Sequence, residues 1–413
     1  MINLYRAVRG KTLHQSWRKV KEKGSQSPSS ETRDLIKAFD SNSFANLNRI
    51  DRQLRENRFE FLPQLGVAKK RHAKTPRPIV IAPVQNRIVQ RAILDTIQAV
   101  PAVQEIIFVA TSFGGLRERG VRKAIWKVQR AHEEGACYFI RSDIESFFTR
   151  IPRDRVCKDL SGFIDDSDFL LLFEKAIETN LANLKELGEA AYYFPLREQG
   201  VAQGSALSAL VGNFLLRDFD RELNGRGVTC LRYIDDFILL GRTRSHVWKA
   251  FERAQAILFE LGMRAYDPRS DTQKAEEGSV DKCCTFLGCR IYPGLVQPSP
   301  AAKQKLLEKV ENIVQRGMRG MKEALARPQS KLPRFIQTLQ ELNLVIRGWG
   351  DAFSFTNDRE LFQALDNELS ERMRRLLNYS RILTGGRGET ERRRVLGVHL
   401  LIDTKVDRQS HAI

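Results

Sequence analysis

Apolar and polar positions along this chain follow two periods. Residues 33–60 set apolar side chains at helical spacing among charged ones, after a Ser-rich loop at 24–32 in which Thr32 is the expected cap. The helical period returns over Asn86 to Val100, where Pro101 is expected to stop it, and over Ser208 to Leu223. The stretch from Lys69 to Pro76 is a basic loop leading into the short β-branched run Arg77-Pro78-Ile79-Val80-Ile81. Tyr138-Phe139-Ile140 reads as a strand ending at Asp143. Thr229–Tyr233 and Phe237–Leu240 are strand-like runs on either side of Asp235-Asp236, which is hairpin grammar with the acids at the turn. Phe286 to Ile291 predicts one more strand, and Pro298 and Pro300 mark a boundary. Beyond it, residues 301–326, 331–347 and 358–378 read as three helices. The chain runs from a mixed α/β body to a helical C-terminal unit, with no internal repeat.

Charge narrows the choice of partner. Among 413 residues, Lys and Arg outnumber Asp and Glu by 68 to 50, a net charge of +18. Residues 1–74 carry 17 Lys/Arg against 7 Asp/Glu, hence +10, and residues 371–413 carry 10 against 5, a further +5. Basic density at both ends points to a phosphate backbone, bound in a salt-dependent way. The six cysteines, Cys137, Cys157, Cys230, Cys283, Cys284 and Cys289, fit no disulfide framework and no paired zinc pattern. Cys283-Cys284 with Cys289 could form a partial metal site, but buried reduced thiols are the simpler reading. No apolar run precedes Arg18-Lys19-Val20-Lys21, and none approaches the roughly 18 residues needed to span a bilayer. A soluble, cytoplasmic protein is expected, without a membrane partner.

Asp143 and the Asp235-Asp236 pair, 92 residues further on, carry the candidate chemistry. Adjacent carboxylates between apolar strands are costly unless a cation compensates them. Nucleotidyl transfer uses two divalent ions roughly 4 Å apart, and hard Mg²⁺ prefers carboxylate oxygens on rigid strands. Standing alone, Tyr233-Ile234-Asp235-Asp236-Phe237 would be better read as an ordinary solvated turn.

It stands within an ordered series that resembles the signature blocks of bacterial reverse transcriptases related to group II intron enzymes. Arg77-Pro78-Ile79-Val80-Ile81 with Asn86-Arg87-Ile88-Val89-Gln90-Arg91 resembles the first fingers block, and Ser112-Phe113-Gly114-Gly115-Leu116-Arg117 the second. Ser142-Asp143-Ile144-Glu145-Ser146-Phe147-Phe148 resembles motif A, Gln203-Gly204-Ser205-Ala206-Leu207-Ser208 motif B, and Tyr233 to Phe237 motif C. Lys274 falls where motif D carries its lysine, and Phe286-Leu287-Gly288 resembles the primer grip. Arg347-Gly348-Trp349 with Phe353 is similar to a thumb signature, whose work is expected to be structural. Two departures stand out. Ala202, Ala206 and Ala209 occupy the proline positions of motif B, and Gly115-Leu116 stands where the second block often has an aromatic residue and Arg.

The resemblance implies an α+β right-hand polymerase with fingers, palm and an all-α thumb. It divides the chain into a basic helical extension (1–60), fingers and palm (61–297), thumb (298–380) and a basic tail (381–413). It implies that Asp143, Asp235 and Asp236 hold two Mg²⁺ ions, with Mn²⁺ as a substitute, and that the Ile144 carbonyl adds a ligand. Arg77 would bind the incoming triphosphate, with Lys69, Lys70, Arg71 and Lys74 on it or on template phosphates. Gln203 and Gly204 would line the nucleotide pocket. Phe148, five residues after Asp143, would exclude a ribose 2′-hydroxyl. Lys274 would protonate the pyrophosphate, although a plain surface lysine fits the spacing nearly as well. Arg392-Arg393-Arg394 suits either backbone binding or a solvated helix face.

The implied partners are an RNA template, expected to be a noncoding RNA, a DNA primer or product, and dNTPs; a homo-oligomer stays open. Only about thirty residues follow position 380, so neither an RNase H domain nor an intron-type endonuclease is expected. This fits the free-standing, defence-associated type acting against phage. Alternatives are RNA-templated RNA synthesis, protein-primed or template-independent DNA synthesis, and a maturase-like or catalytically idle RNA-binding protein.

Overall fold

A computed structural model describes residues 3–404 apart from 28, 72, 73, 117, 196–198 and 226, and describes 70, 71, 74 and 75 by their backbone alone. The expectation for Arg117 and the side-chain roles of Lys70, Arg71 and Lys74 therefore lie outside the described residues. The architecture is α+β, with ten strands among the described residues. Two compact units divide the chain, Met1–Val280 and Asp281–Ile413.

The first unit is built on a five-stranded sheet. Its strands follow the two-stranded ribbon β1 (Leu65–Arg71) and β2 (Lys74–Ile81) in the chain. They are β3 (Ser112–Phe113), β4 (Tyr138–Asp143), β5 (Val228–Tyr233), β6 (Asp236–Gly241) and β7 (Glu276–Ser279). The order is β3-β5-β6-β4-β7, antiparallel except for the β3–β5 pair. Alternation along β5 and β6 sends Cys230, Phe237 and Leu239 into the main core, which they share with Phe147, Phe219, Phe251 and the apolar faces of flanking helices. The helix Arg244–Glu260, capped by the Thr243 side chain accepting from the His246 amide, packs on β4 and β6. The helix Val121–Glu133 buries Ala124, Ile125, Val128 and Ala131 and packs against β5 and β6.

Several local expectations change here. Residues 69–71 and 74–76, expected in a basic loop, belong to the β1–β2 ribbon, because Lys69 pairs with Arg77 and Leu65 with Ile81 in one antiparallel register. Ser29, not Thr32, caps the helix Ser30–Asp40; its side chain accepts from the Thr32 amide. Pro101 starts a helix, Pro101–Ile107, because an N-terminal helical position needs no amide donor. The helix expected over Ser208 to Leu223 breaks at Leu216 into Ser208–Leu215 and Arg217–Glu222. There the Arg217 guanidinium stacks on Phe214 and reaches its carbonyl, a side chain competing with the helical ladder.

The second unit holds β8 (Cys284–Phe286), β9 (Cys289–Tyr292) and β10 (Leu295–Pro298) as an antiparallel meander. The single strand expected over Phe286 to Ile291 is a hairpin instead, since Leu287 and Gly288 both take positive φ, +49° and +79°, and reverse the chain. The helices Pro300–Ala326, Phe335–Phe353, Arg359–Thr384 and Glu389–Leu396 follow. They enclose a core containing Leu306, Val310, Val314, Leu342 and Leu376. Trp349 packs against this core beside Phe353 and Phe362. Among the described residues no helix is long and apolar enough to cross a membrane.

Candidate active site

Strand register brings the acids together. Asp143 is the Cα partner of Asp236 across β4 and β6, and Tyr233 is the partner of Asp236 across β5 and β6. The hairpin turn therefore consists of Ile234 and Asp235 alone. The Ile144 amide donates to the Asp235 carbonyl at 3.0 Å, fastening the end of β4 to the turn.

Ile234 has φ +62°, a conformation that a β-branched residue adopts only when its surroundings impose it. Two contacts impose it here. The Ile234 amide donates to the Phe113 carbonyl at 3.2 Å, and Arg232 Nη1 donates to the Ile234 carbonyl at 2.8 Å. Arg232 is wholly buried. Its Nε donates to Asp220 Oδ1 at 2.6 Å, Nη1 also to Asn213 Oδ1 at 3.0 Å, and Nη2 to Ser112 Oγ at 2.8 Å and to Asp220 Oδ2. All five guanidinium donors are used. Gly114 completes the seat, because a Cβ there would stand 2.7 Å from Ile234 Cγ1. Its neighbour Gly115, at φ +67°, lies against Ala209, whose Cβ a side chain at 115 would overlap.

The carboxylates repel one another in a poorly solvated place. Burial pushes Asp235 up to about 6, with the Asp143 charge adding to it. Burial likewise pushes Asp236 up to about 7, against the pull of Arg141 and with the push of Asp143 and Asp235. Asp143 is raised by burial and pulled back by Lys274, whose Nζ lies 3.5 Å from Asp143 Oδ2. Asp236 Oδ1 is buried with no hydrogen-bond partner. An orphaned carboxylate oxygen beside two more acids is a donor set that fits a hard cation. Among the described residues no group of three or more His, Cys, Asp or Glu side chains is gathered to hold a metal ion by itself.

One cavity of about 780 Å³ is lined by Asp143, Ile144, Asp235, Asp236, Arg77, Phe148, Gln203 and Lys274. Eight of the nine expected site residues thus share a wall. Arg77 Nε donates to Gln203 Oε1 at 2.9 Å, and the Val201 amide to the Phe148 carbonyl at 2.7 Å. Phe147 and Phe148 both line the cavity from the short helix Phe147–Arg150; Phe147 is buried in the main core, and Phe148 is half-buried against it. Gly204 is the exception. It lines a neighbouring cavity with Ile79, Val80 and Arg87, and the Val80 carbonyl lies 3.2 Å from where its Cβ would stand.

Sequence reasoning missed four contributors. Tyr192 and Tyr193 border the cavity, and nothing in their local pattern marks them. The Tyr266 amide donates to the Asp143 carbonyl at 3.1 Å, across a long sequence separation. Arg232 had a visible signal, a charge inside an otherwise apolar strand. The cysteines are free thiols, and burial raises Cys157 and Cys289 to about 12.

Known proteins resemble part of the chain. The family model described as reverse transcriptase (RNA-dependent DNA polymerase) matches residues 67–291. Protein YkfC of Escherichia coli (strain K12) is 29% identical over 254 residues, covering 52% of this chain and 63% of that protein. An uncharacterized 91 kDa protein in the cob intron of Schizosaccharomyces pombe is 26% identical over 174 residues, covering 42% of this chain and 20% of that protein. The chain thus spans less than two thirds of the length of these relatives. A solved partial Cas6-RT-Cas1–Cas2 complex matches at 21% identity and a TM-score of 0.35, covering 62% of this chain and 41% of that one.

Proposed function

The chain belongs to the reverse transcriptase (RNA-dependent DNA polymerase) family, and from that premise we propose that it copies an RNA template into DNA at the cavity bearing Asp143, Asp235 and Asp236. The observation that carries this reading is the β4–β6 register, which sets Asp143 opposite Asp236 with Asp235 in the adjoining turn. These three carboxylates, with the Ile144 carbonyl as a further ligand, would hold two Mg²⁺ ions or Mn²⁺ in their place. Such ions activate the primer 3′-hydroxyl and neutralise the triphosphate and departing pyrophosphate.

The remaining roles belong to the chain's own side chains. Arg77, held by Gln203, offers its terminal nitrogens to the triphosphate. Lys274, already beside Asp143, is within the cavity to hand a proton to the pyrophosphate. Gly204 acts behind Gln203, letting the backbone run close under Val80. Residues 61–297 serve as fingers and palm, and 298–380 as thumb. The biological setting we propose is antiphage defence with an associated noncoding RNA, by analogy with free-standing bacterial enzymes. Sequencing the nucleic acid that copurifies with the protein tests that setting. A heterogeneous population reflecting bulk cellular RNA would count against it.

Primer extension on an RNA template tests the reaction. Template-dependent dNTP incorporation is expected with Mg²⁺ or Mn²⁺; its absence with both would sink the reading. Phe148→Ala should raise rNTP use relative to dNTP by about ten- to a hundredfold, the range of about 1–3 kcal/mol that a pocket wall commands. Unchanged sugar selectivity would remove Phe148 as the gate. Arg77→Ala should raise the KM for dNTP about tenfold or more, since a charge-assisted bond is worth about 1.5–3 kcal/mol. An unaltered KM would assign the triphosphate to other cations.

A further inference from the structure

The outward face of the helix Val121–Glu133 carries a feature that the polymerase reading does not use. Arg122, Lys123 and Arg130 are exposed, Lys127 is half-buried, and between them Trp126 leaves 51% of its surface in water. A tryptophan so exposed on a basic helix is not packing a core. Lys127 Nζ lies 5.8 Å and the Arg130 guanidinium carbon 5.3 Å from the indole centroid, so cations already flank the ring. Beside the indole opens a pocket of about 630 Å³, with Phe113 and Ala110 among its lining and Arg122, Lys123 and Lys127 along it. It shares no lining residue with the carboxylate cavity. Arg119 also lines it, but its guanidinium is committed to the carbonyls of Phe108, Val109 and Ser112 and serves as wall.

An apolar pocket with a flat ring and a row of cations has the complementarity of one chemical class. An unpaired nucleobase offers a π-face for Trp126, and its flanking phosphates suit the lysines and Arg122. A duplex buries its base faces and leaves the indole without a partner. An acidic protein would satisfy the charges without needing the ring. We propose that this pocket docks an unpaired nucleic-acid strand, RNA or DNA, with one base stacked on Trp126 and adjacent phosphates on Arg122, Lys123 and Lys127. The location gives the contact a consequence. The backbone of Phe113 accepts from the Ile234 amide and pairs with Tyr233. A strand seated here thus lies one β-strand away from the turn that bears Asp235.

The site is tested by binding alone, with the full chain in EDTA and without nucleotides, so failure of the polymerase reading and failure of this one are separable. Fluorescence anisotropy is measured with a labelled 12-nucleotide strand of mixed sequence, as RNA and as DNA, and with each strand annealed to its complement. Base stacking on an aromatic side chain is worth about 1–3 kcal/mol. Trp126→Ala is therefore expected to weaken the binding of at least one single strand about 5- to 100-fold, while duplex affinity changes less than about twofold. Trp126→Phe should retain most of the affinity, and the thermal midpoint should not move. The pair Lys123→Gln and Lys127→Gln should reduce the slope of log K against log salt by about 1.4, at about 0.7 per phosphate contact. The proposal is overturned if Trp126→Ala binds both single strands as the unaltered chain does. Equal losses for single strand and duplex would overturn it too, because charge alone would then explain the surface.

Discussion

Asp235→Asn is expected to reduce nucleotide incorporation by about a thousandfold, the upper range for removing one group that stabilises transition-state charge, without unfolding the chain. The argument rests on where the charge sits. Asp235 occupies a two-residue turn whose backbone is held from both sides, by Phe113 and Ile144. An isosteric amide keeps the shape and loses only the charge. Single-nucleotide extension on an RNA template measures the first effect, and a thermal melt the second. Retained incorporation would mean that the chemistry occurs elsewhere.

The neighbouring acid supplies a control with the opposite sign for stability. Asp236 sits at about 7 instead of the usual carboxylate range because it is buried beside two other acids. A carboxyl whose folded value lies above its unfolded value opposes folding when ionised. That penalty is present in full above the folded value and is relieved as pH falls through it. With EDTA present, the melting temperature should therefore rise as the pH is lowered from 8 to 6. Asp236→Asn should flatten this dependence. A profile identical to that of the unaltered chain would show that Asp236 is not charged under strain.

Breaking the Arg232–Asp220 pair is expected to cost about 3–5 kcal/mol of stability, because removing one partner leaves the other buried and uncompensated. Arg232→Met isolates Asp220; Asp220→Asn isolates the guanidinium while keeping a hydrogen-bonding shape. Both are measured by denaturant unfolding. Pairing Arg232→Met with Asp220→Leu should recover much of the loss, since two apolar groups need no compensation. Activity should not return with it. The guanidinium also holds the Ile234 carbonyl, and no apolar side chain can replace that bond. Recovery of both stability and activity would reduce Arg232 to a packing residue.

What the sequence reveals of the fold follows the range of the interactions involved. β4 ends at Asp143 and the acids sit at the β5–β6 hairpin as the apolar runs predict, because a polar pair between two short apolar runs is a local signal. The expected site residues other than Gly204 meet around one cavity, since the signature blocks are spaced by the strands that carry them. Pro101 was expected only to stop a helix; it also begins the next one, because a first-turn position needs no amide donor and local pattern does not separate the two uses. The hairpin at Leu287-Gly288 was hidden because leucine at positive φ is rare in any local pattern. Arg232 lay in plain view inside an apolar strand. Its partners Ser112, Asn213 and Asp220 come from other segments and could not be paired with it from spacing alone.

Two of the residues that depart from the family pattern, Gly115 and Ala209, turn out to be adjacent in space. The missing side chain at one position leaves room for the small one at the other, so they behave as a single substitution made in two places. Exchanging Gly115 for its family counterpart would drive a side chain into Ala209 at the joint between the second block and the motif B helix. A chimera that borrows the segment around Gly115 from a relative with a side chain there therefore has to make room at Ala209 as well.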